Sequence, residues 1–173
     1  MRNTKKQIRK LTVLGVLTAA ALILSYAESV LPPIFPAVPG IKVGLPNVVI
    51  IFVLYRMGIP SAVSVSLARI AVSALLFGSP ISFLYSLSGA LLSVTVMSLL
   101  KKTRAFSYIG VSVAGGVLHN VGQILAAMLL LQALEVGYYM AVLAVTGTLA
   151  GFFVGLCAAY LIHRLPEIPS AES

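Results

Sequence analysis

Gly110-Val-Ser-Val-Ala-Gly-Gly-Val-Leu-His-Asn-Val-Gly-Gln123 lies inside an apolar run from Phe106 to Leu134 that no charged residue interrupts. On a helix, Ser112, Gly116, Asn120 and Gln123 follow one another at spacings of four, four and three. They therefore share one face, with His119 at its edge. A hydrogen-bonding face in so apolar a run should not meet lipid. It is expected to line a polar cavity or a protein interface, with the rest of the chain as walls around it.

The composition agrees. Of 173 residues, 60% are hydrophobic and 9% charged, and the mean hydropathy is +1.06, which places the chain in the membrane class as one domain, 1–173. The net charge of +8 does not point to nucleic acid. The basic residues sit in short clusters between apolar runs, not on a basic face interleaved with exposed aromatics. Cys157 is the single cysteine, so neither a disulfide framework nor a thiolate metal site is expected, and no cofactor is implied. A signal peptide is one reading of the N-terminus, with Arg2 to Lys10 as the basic region and Ser25-Tyr26-Ala27 as the cleavage site. The apolar run resumes to Leu31, however, and a retained first span is the preferred reading.

Six apolar segments follow in order: Leu11–Leu31, Leu45–Met57, Ser61–Phe77, Ile81–Leu100, Phe106–Leu134 and Tyr138–Ile162. Their length and continuity favour an all-α bundle of six transmembrane helices over alternating barrel strands. The second reaches only about 20 Å against a hydrocarbon core of ~30 Å, so it is completed by preceding residues or begins below the surface. Before it lies a loop with Pro32, Pro33, Pro36 and Pro39, which no helix interior accepts. Ten of the twelve basic residues fall on one side: the N-tail 1–10, Arg56, Lys101, Lys102, Arg104 and Arg164. Both termini are therefore expected in the cytoplasm, with the chain crossing the membrane several times. The tail 166–173 is expected to be disordered.

Polar residues inside these runs are the candidate ligand contacts. Arg69 sits mid-span with Ser66 and Ser73 on its face. Its charge costs at least ~2.5–3.5 kcal/mol at that depth and must find partners. It reads as an anchor for a carboxylate or phosphate, or as a structural arginine bonding carbonyls or Glu28. Glu28 closes the first span, on a face with Ser25. It is interfacial, pairs with Arg69 or Lys42, or binds a ligand amine. Lys42 and Asn47, around Gly44 and Pro46, would present a cation and a helix N-terminus to the outer half of the bundle. A lysine snorkelling to the interface is equally consistent. Ser82, Tyr85 and Ser86 could add hydrogen bonds and an aromatic wall, whereas Gly89 and Ser93 read as packing. His119 reads as a pocket residue beside Asn120 and Gln123, since a lone histidine is a poor metal site. The stripe Gly147, Gly151, Gly155 signals close helix contact, either within the chain or with another membrane subunit. Gly15, Ala19 and the adjoining alanines make a second smooth surface.

Four motifs carry a resemblance: Pro39-Gly-Ile-Lys-Val-Gly-Leu-Pro-Asn47, Arg69 to Ser73, Phe77-Gly-Ser-Pro-Ile-Ser-Phe-Leu-Tyr-Ser-Leu-Ser-Gly89, and Gly110-Val-Ser to His119-Asn-Val-Gly-Gln123. With them the chain resembles, over nearly its whole length, the small bacterial proteins called the Gx transporter family, often labelled heptaprenyl diphosphate synthase component I. That family is similar to the substrate-binding S components of energy-coupling factor transporters. The resemblance implies a six-helix protein that binds a small nutrient from outside and works with a transmembrane coupling subunit and two ATPases. It implies docking through small residues of the first helix, where Gly15 and Ala19 stand, although Ala-x-x-x-Ala itself is absent. An enzyme is not expected. Prenyl diphosphate synthases hold Mg²⁺ through clustered aspartates, and this chain has none. It has no Walker motif either, so ATP would be used by partners. The expected function is substrate binding for uptake of a small anionic or polar-aromatic molecule. The alternatives are a non-catalytic accessory protein of isoprenoid or quinone synthesis, and a solitary secondary carrier.

Overall fold

The computed structural model describes residues 2–31 and 44–166. They form six α-helices with no strand among them: α1 (Arg2–Val30), α2 (Asn47–Met57), α3 (Ile59–Leu76), α4 (Pro80–Thr103), α5 (Tyr108–Leu131) and α6 (Met140–Arg164), with a 3-10 turn at Leu134–Tyr139 before α6. The proline-rich loop with Lys42, and the C-tail beyond Pro166, lie outside the described residues. The N-tail is no separate element, since α1 takes it up from Arg2 onward.

The breaks between helices follow from local chemistry. Gly58 takes a φ of +87° between α2 and α3, and Pro60 follows in the first turn of α3. Ser79 caps α4 by accepting the Ser82 N–H at 3.1 Å ahead of Pro80. Ser107 caps α5 by accepting the Gly110 N–H at 3.1 Å.

Five helices are long and apolar enough to cross a membrane: α1, α3, α4, α5, and α6 together with the turn before it. The sixth expected span is different. With 11 residues α2 is about 16 Å long, and Val49 to Leu54 are all buried. A helix buried all round is an interior element, not a lipid-facing one. It packs on α3, α6 and α1.

One layer is built from backbone contact. α5 lies between α4 and α6 and meets both through glycines. A methyl at Gly116 would lie 2.5 Å from the Gly147 carbonyl oxygen, and one at Gly151 would lie 2.7 Å from Val113 Cα. On the α4 side, a methyl at Gly122 would lie 2.7 Å from the Ser88 carbonyl oxygen. Small residues are what allow helices to approach so closely. Ser88 Oγ fastens the same contact by donating to Gly122 O at 2.9 Å.

The helix ends rich in basic residues meet at one end of the bundle. Arg56 Nη2 donates to the carbonyl of Ile162 and, at 2.6 Å, to that of Leu165. Lys101 Nζ donates to Leu54 O at 2.5 Å and lies 5.2 Å from the Tyr55 ring centre. Tyr108 contacts Tyr55 edge-on at 4.6 Å and His163 at 5.8 Å. The last carbonyls of a helix have no intrahelical donor and carry the negative end of its dipole, so cations belong there.

Candidate functional site

The C-terminal half of α1 supplies the first wall. Ala21, Ser25 and Glu28 are buried at spacings of four and three, while Gly15 and Ala19 on the other side of the helix are exposed. This inner stripe faces α3, whose own buried stripe is Ala62, Ser66, Arg69 and Ser73. Arg69 is 4% exposed, and its Nη1 donates to Ser25 Oγ at 3.4 Å. Its Nε and Nη2 are buried with no hydrogen-bond partner. Glu28 stands one turn beyond Ser25 on the same buried stripe of α1. Its Oε1 accepts the Gly44 N–H at 2.5 Å.

Gly44 links this wall to α2 and α5. Its φ of +93° is left-handed, which glycine adopts without strain. A methyl there would lie 2.7 Å from Asn47 Nδ2 and 4.0 Å from His119 Cδ2. Asn47, the first residue of α2, is buried. His119 in turn abuts α4: a methyl at Gly89 would lie 3.0 Å from both His119 Cε1 and Gln123 Cγ. Arg69, Glu28, Asn47, His119 and Gln123 therefore follow one another across four helices. Gln123 is fully buried, and both its amide oxygen and nitrogen lack a partner. Beside this chain of residues a small cavity of about 10 Å³, room for about one water, is lined by Asn47, Ser93, Ser112 and the glycines 115, 116 and 151.

Other expected site residues also serve contacts between helices. The face Ser112, Gly116, Asn120 meets α6. Ser112 Oγ donates to Gly151 O at 2.6 Å, and Asn120 Nδ2 to Leu143 O at 2.8 Å. Asn120 thus braces α5 against α6 with its Nδ2, while its Oδ1 is buried without a partner. Tyr85 is buried in a small apolar cluster with Ala127, packed by Ala126 and Val136. Ser82 is half-buried beside the α4 cap, and Ser86 is buried on the same helix. Of the two readings of Gly147, Gly151 and Gly155, the structure has the one within the chain. All three are buried, and methyls on them would meet α5 at 2.7 to 2.9 Å. Lys42 lies outside the described residues.

Two contributors carry other readings in the sequence. Ser25, read there only as a face-mate of Glu28, is the hydroxyl that meets Arg69. Ser93 had a packing reading, yet its Oγ is buried without a partner at the cavity. Both sat three or four residues from a named polar or small residue, which was the available signal.

Among the described residues no three His, Cys, Asp or Glu side chains converge to hold a metal. The comparisons add one family. A family model described as heptaprenyl diphosphate synthase component I matches residues 17–161. No curated protein and no solved structure matches the chain.

Proposed function

The chain belongs to the heptaprenyl diphosphate synthase component I family, and from that premise we propose that it is a membrane substrate-binding subunit for uptake of a small polar molecule, energised by partner ATPases. The observation that carries this reading is unspent hydrogen-bonding capacity deep in an apolar bundle. Arg69 keeps two buried N–H groups, and Gln123 both ends of its amide, without partners. Such groups cost about 1–3 kcal/mol each, more when charged, unless something satisfies them. A polar ligand in the outer half would do so. The exposed, smooth Gly15–Ala19 face of α1 is where a coupling subunit would dock.

The synthase in the family's description favours a second reading, an accessory membrane partner of a prenyl synthase. Catalysis of diphosphate transfer by this chain itself lacks its residues, because the sequence contains no aspartate to hold Mg²⁺. The test is purification from native membranes in mild detergent, with mass spectrometry of bound small molecules and of co-purifying subunits. A retained small molecule, lost in Arg69→Ala, together with ATPases and a membrane coupling subunit, supports transport. A soluble prenyl synthase in their place supports the accessory reading and removes the first.

A further inference from the structure

The two ends of the Arg69 guanidinium are not equivalent. Nη1 is used, by Ser25 Oγ. The atoms left over are Nε and Nη2, both buried. These two N–H groups lie side by side along one edge of the planar fork and point in parallel. That edge accepts two oxygens of one oxyanion at once, the bidentate geometry of arginine with carboxylate or phosphate. The unspent capacity therefore has a shape, and it is the shape of a pair of oxygens.

The charge nearby selects between those oxyanions. Glu28 stands one turn beyond Ser25 on the buried stripe of α1 that meets Arg69, is itself buried, and is held by the Gly44 N–H. The positive charge of Arg69 is thus already partly balanced before any ligand arrives. A single negative charge on the guanidinium edge can be accommodated. A second one, as on a phosphate monoester, meets the Glu28 carboxylate in a poorly screened interior. Repulsion of that kind costs a dianion about twice what it costs a carboxylate, so it rejects the competitor more than the preferred ligand.

We propose that the ligand of this site presents a carboxylate, held side-on by Arg69 Nε and Nη2, and that Glu28 excludes phosphate dianions. This deepens the binding-subunit reading and rests on it.

The test uses the full chain in detergent with ¹⁵Nε-labelled arginine, the Arg69 signal being assigned by its loss in Arg69→Lys. Benzoate and phenylphosphonate are the probes. The expected result is a saturable shift of the Arg69 Nε–H signal with benzoate, at least ten-fold weaker with phenylphosphonate. In Glu28→Gln the phosphonate should gain about ten-fold and benzoate only about three-fold. An Arg69 signal that benzoate leaves unmoved overturns the proposal, as does phosphonate binding as tightly as benzoate in the wild type. A co-purifying small molecule that lacks a carboxylate overturns it too, while leaving the binding-subunit reading standing. A soluble synthase in place of ATPases sinks that reading instead, and the benzoate titration still decides the chemistry of Arg69.

Discussion

Ser25 on α1 accepts a hydrogen bond from Arg69 on α3 across 3.4 Å, and both residues are buried. A single hydroxyl thus ties the least buried long helix to the charge at the centre of its neighbour. Ser25→Ala should destabilise the protein by about 1.5–3 kcal/mol, the scale for a bond to a charged group. Ser25→Thr, which keeps the hydroxyl, should recover most of it. Thermal unfolding followed by circular dichroism in one detergent reads the difference; equal stabilities for Ala and wild type would show that the bond contributes nothing.

The two small-residue surfaces should respond oppositely to added bulk. Gly116→Ala places a methyl against backbone of α6 and should cost about 1–3 kcal/mol, because backbone cannot move aside as a flexible side chain can. Gly15→Ala meets no atom within 4 Å and should stay within about 0.5 kcal/mol of wild type. If Gly15→Leu keeps its stability but loses co-purifying coupling subunit, the α1 face is the docking surface. Retention of the partner would move docking elsewhere.

Gly44→Ala combines two penalties, a left-handed φ of +93° and a methyl 2.7 Å from Asn47 Nδ2. The expected loss is about 1–3 kcal/mol. Because the Gly44 N–H serves Glu28, the variant should also weaken ligand retention, measured by mass spectrometry of the purified protein. Undiminished stability would show that the turn has another conformation available.

Arg56→Met should loosen one end of the bundle. The arginine supplies donors to the carbonyls of Ile162 and Leu165, and methionine supplies none. Faster trypsin cleavage after Arg164 is expected, with global stability lowered by about 1–3 kcal/mol. Unchanged cleavage would mean that the C-terminal turn of α6 holds without it.

Helix number and approximate bounds were readable because uncharged runs of this length have few alternatives, and capping serines and prolines mark their edges. That Arg69, His119 and Gln123 would be turned inward was readable for the same reason, since each is costly where it stands. Direction was not. The face Ser112–Gly116–Asn120 was evident from its period, but a period names a face and not its partner. Asn120 turns to α6, and Gln123, three residues on, lies against α4. The inward turn of Gly147, Gly151 and Gly155 was hidden likewise, because the same stripe serves a neighbour in the chain or outside it. That α2 is interior showed only as a deficit of length.

The glycine contacts also divide the molecule mechanically. Where α5 touches α4 and α6 through backbone, a small slide runs into carbonyl oxygens. Those three helices behave as a keel. Around Arg69 the contacts between α1 and α3 are made by a long side chain and a hydroxyl, which can lengthen, rotate and re-form. Compliance is therefore concentrated in the half that carries both the buried charges and the exposed face of the first helix. Strain introduced at Arg69 has a soft path toward Gly15 and a stiff one toward α6.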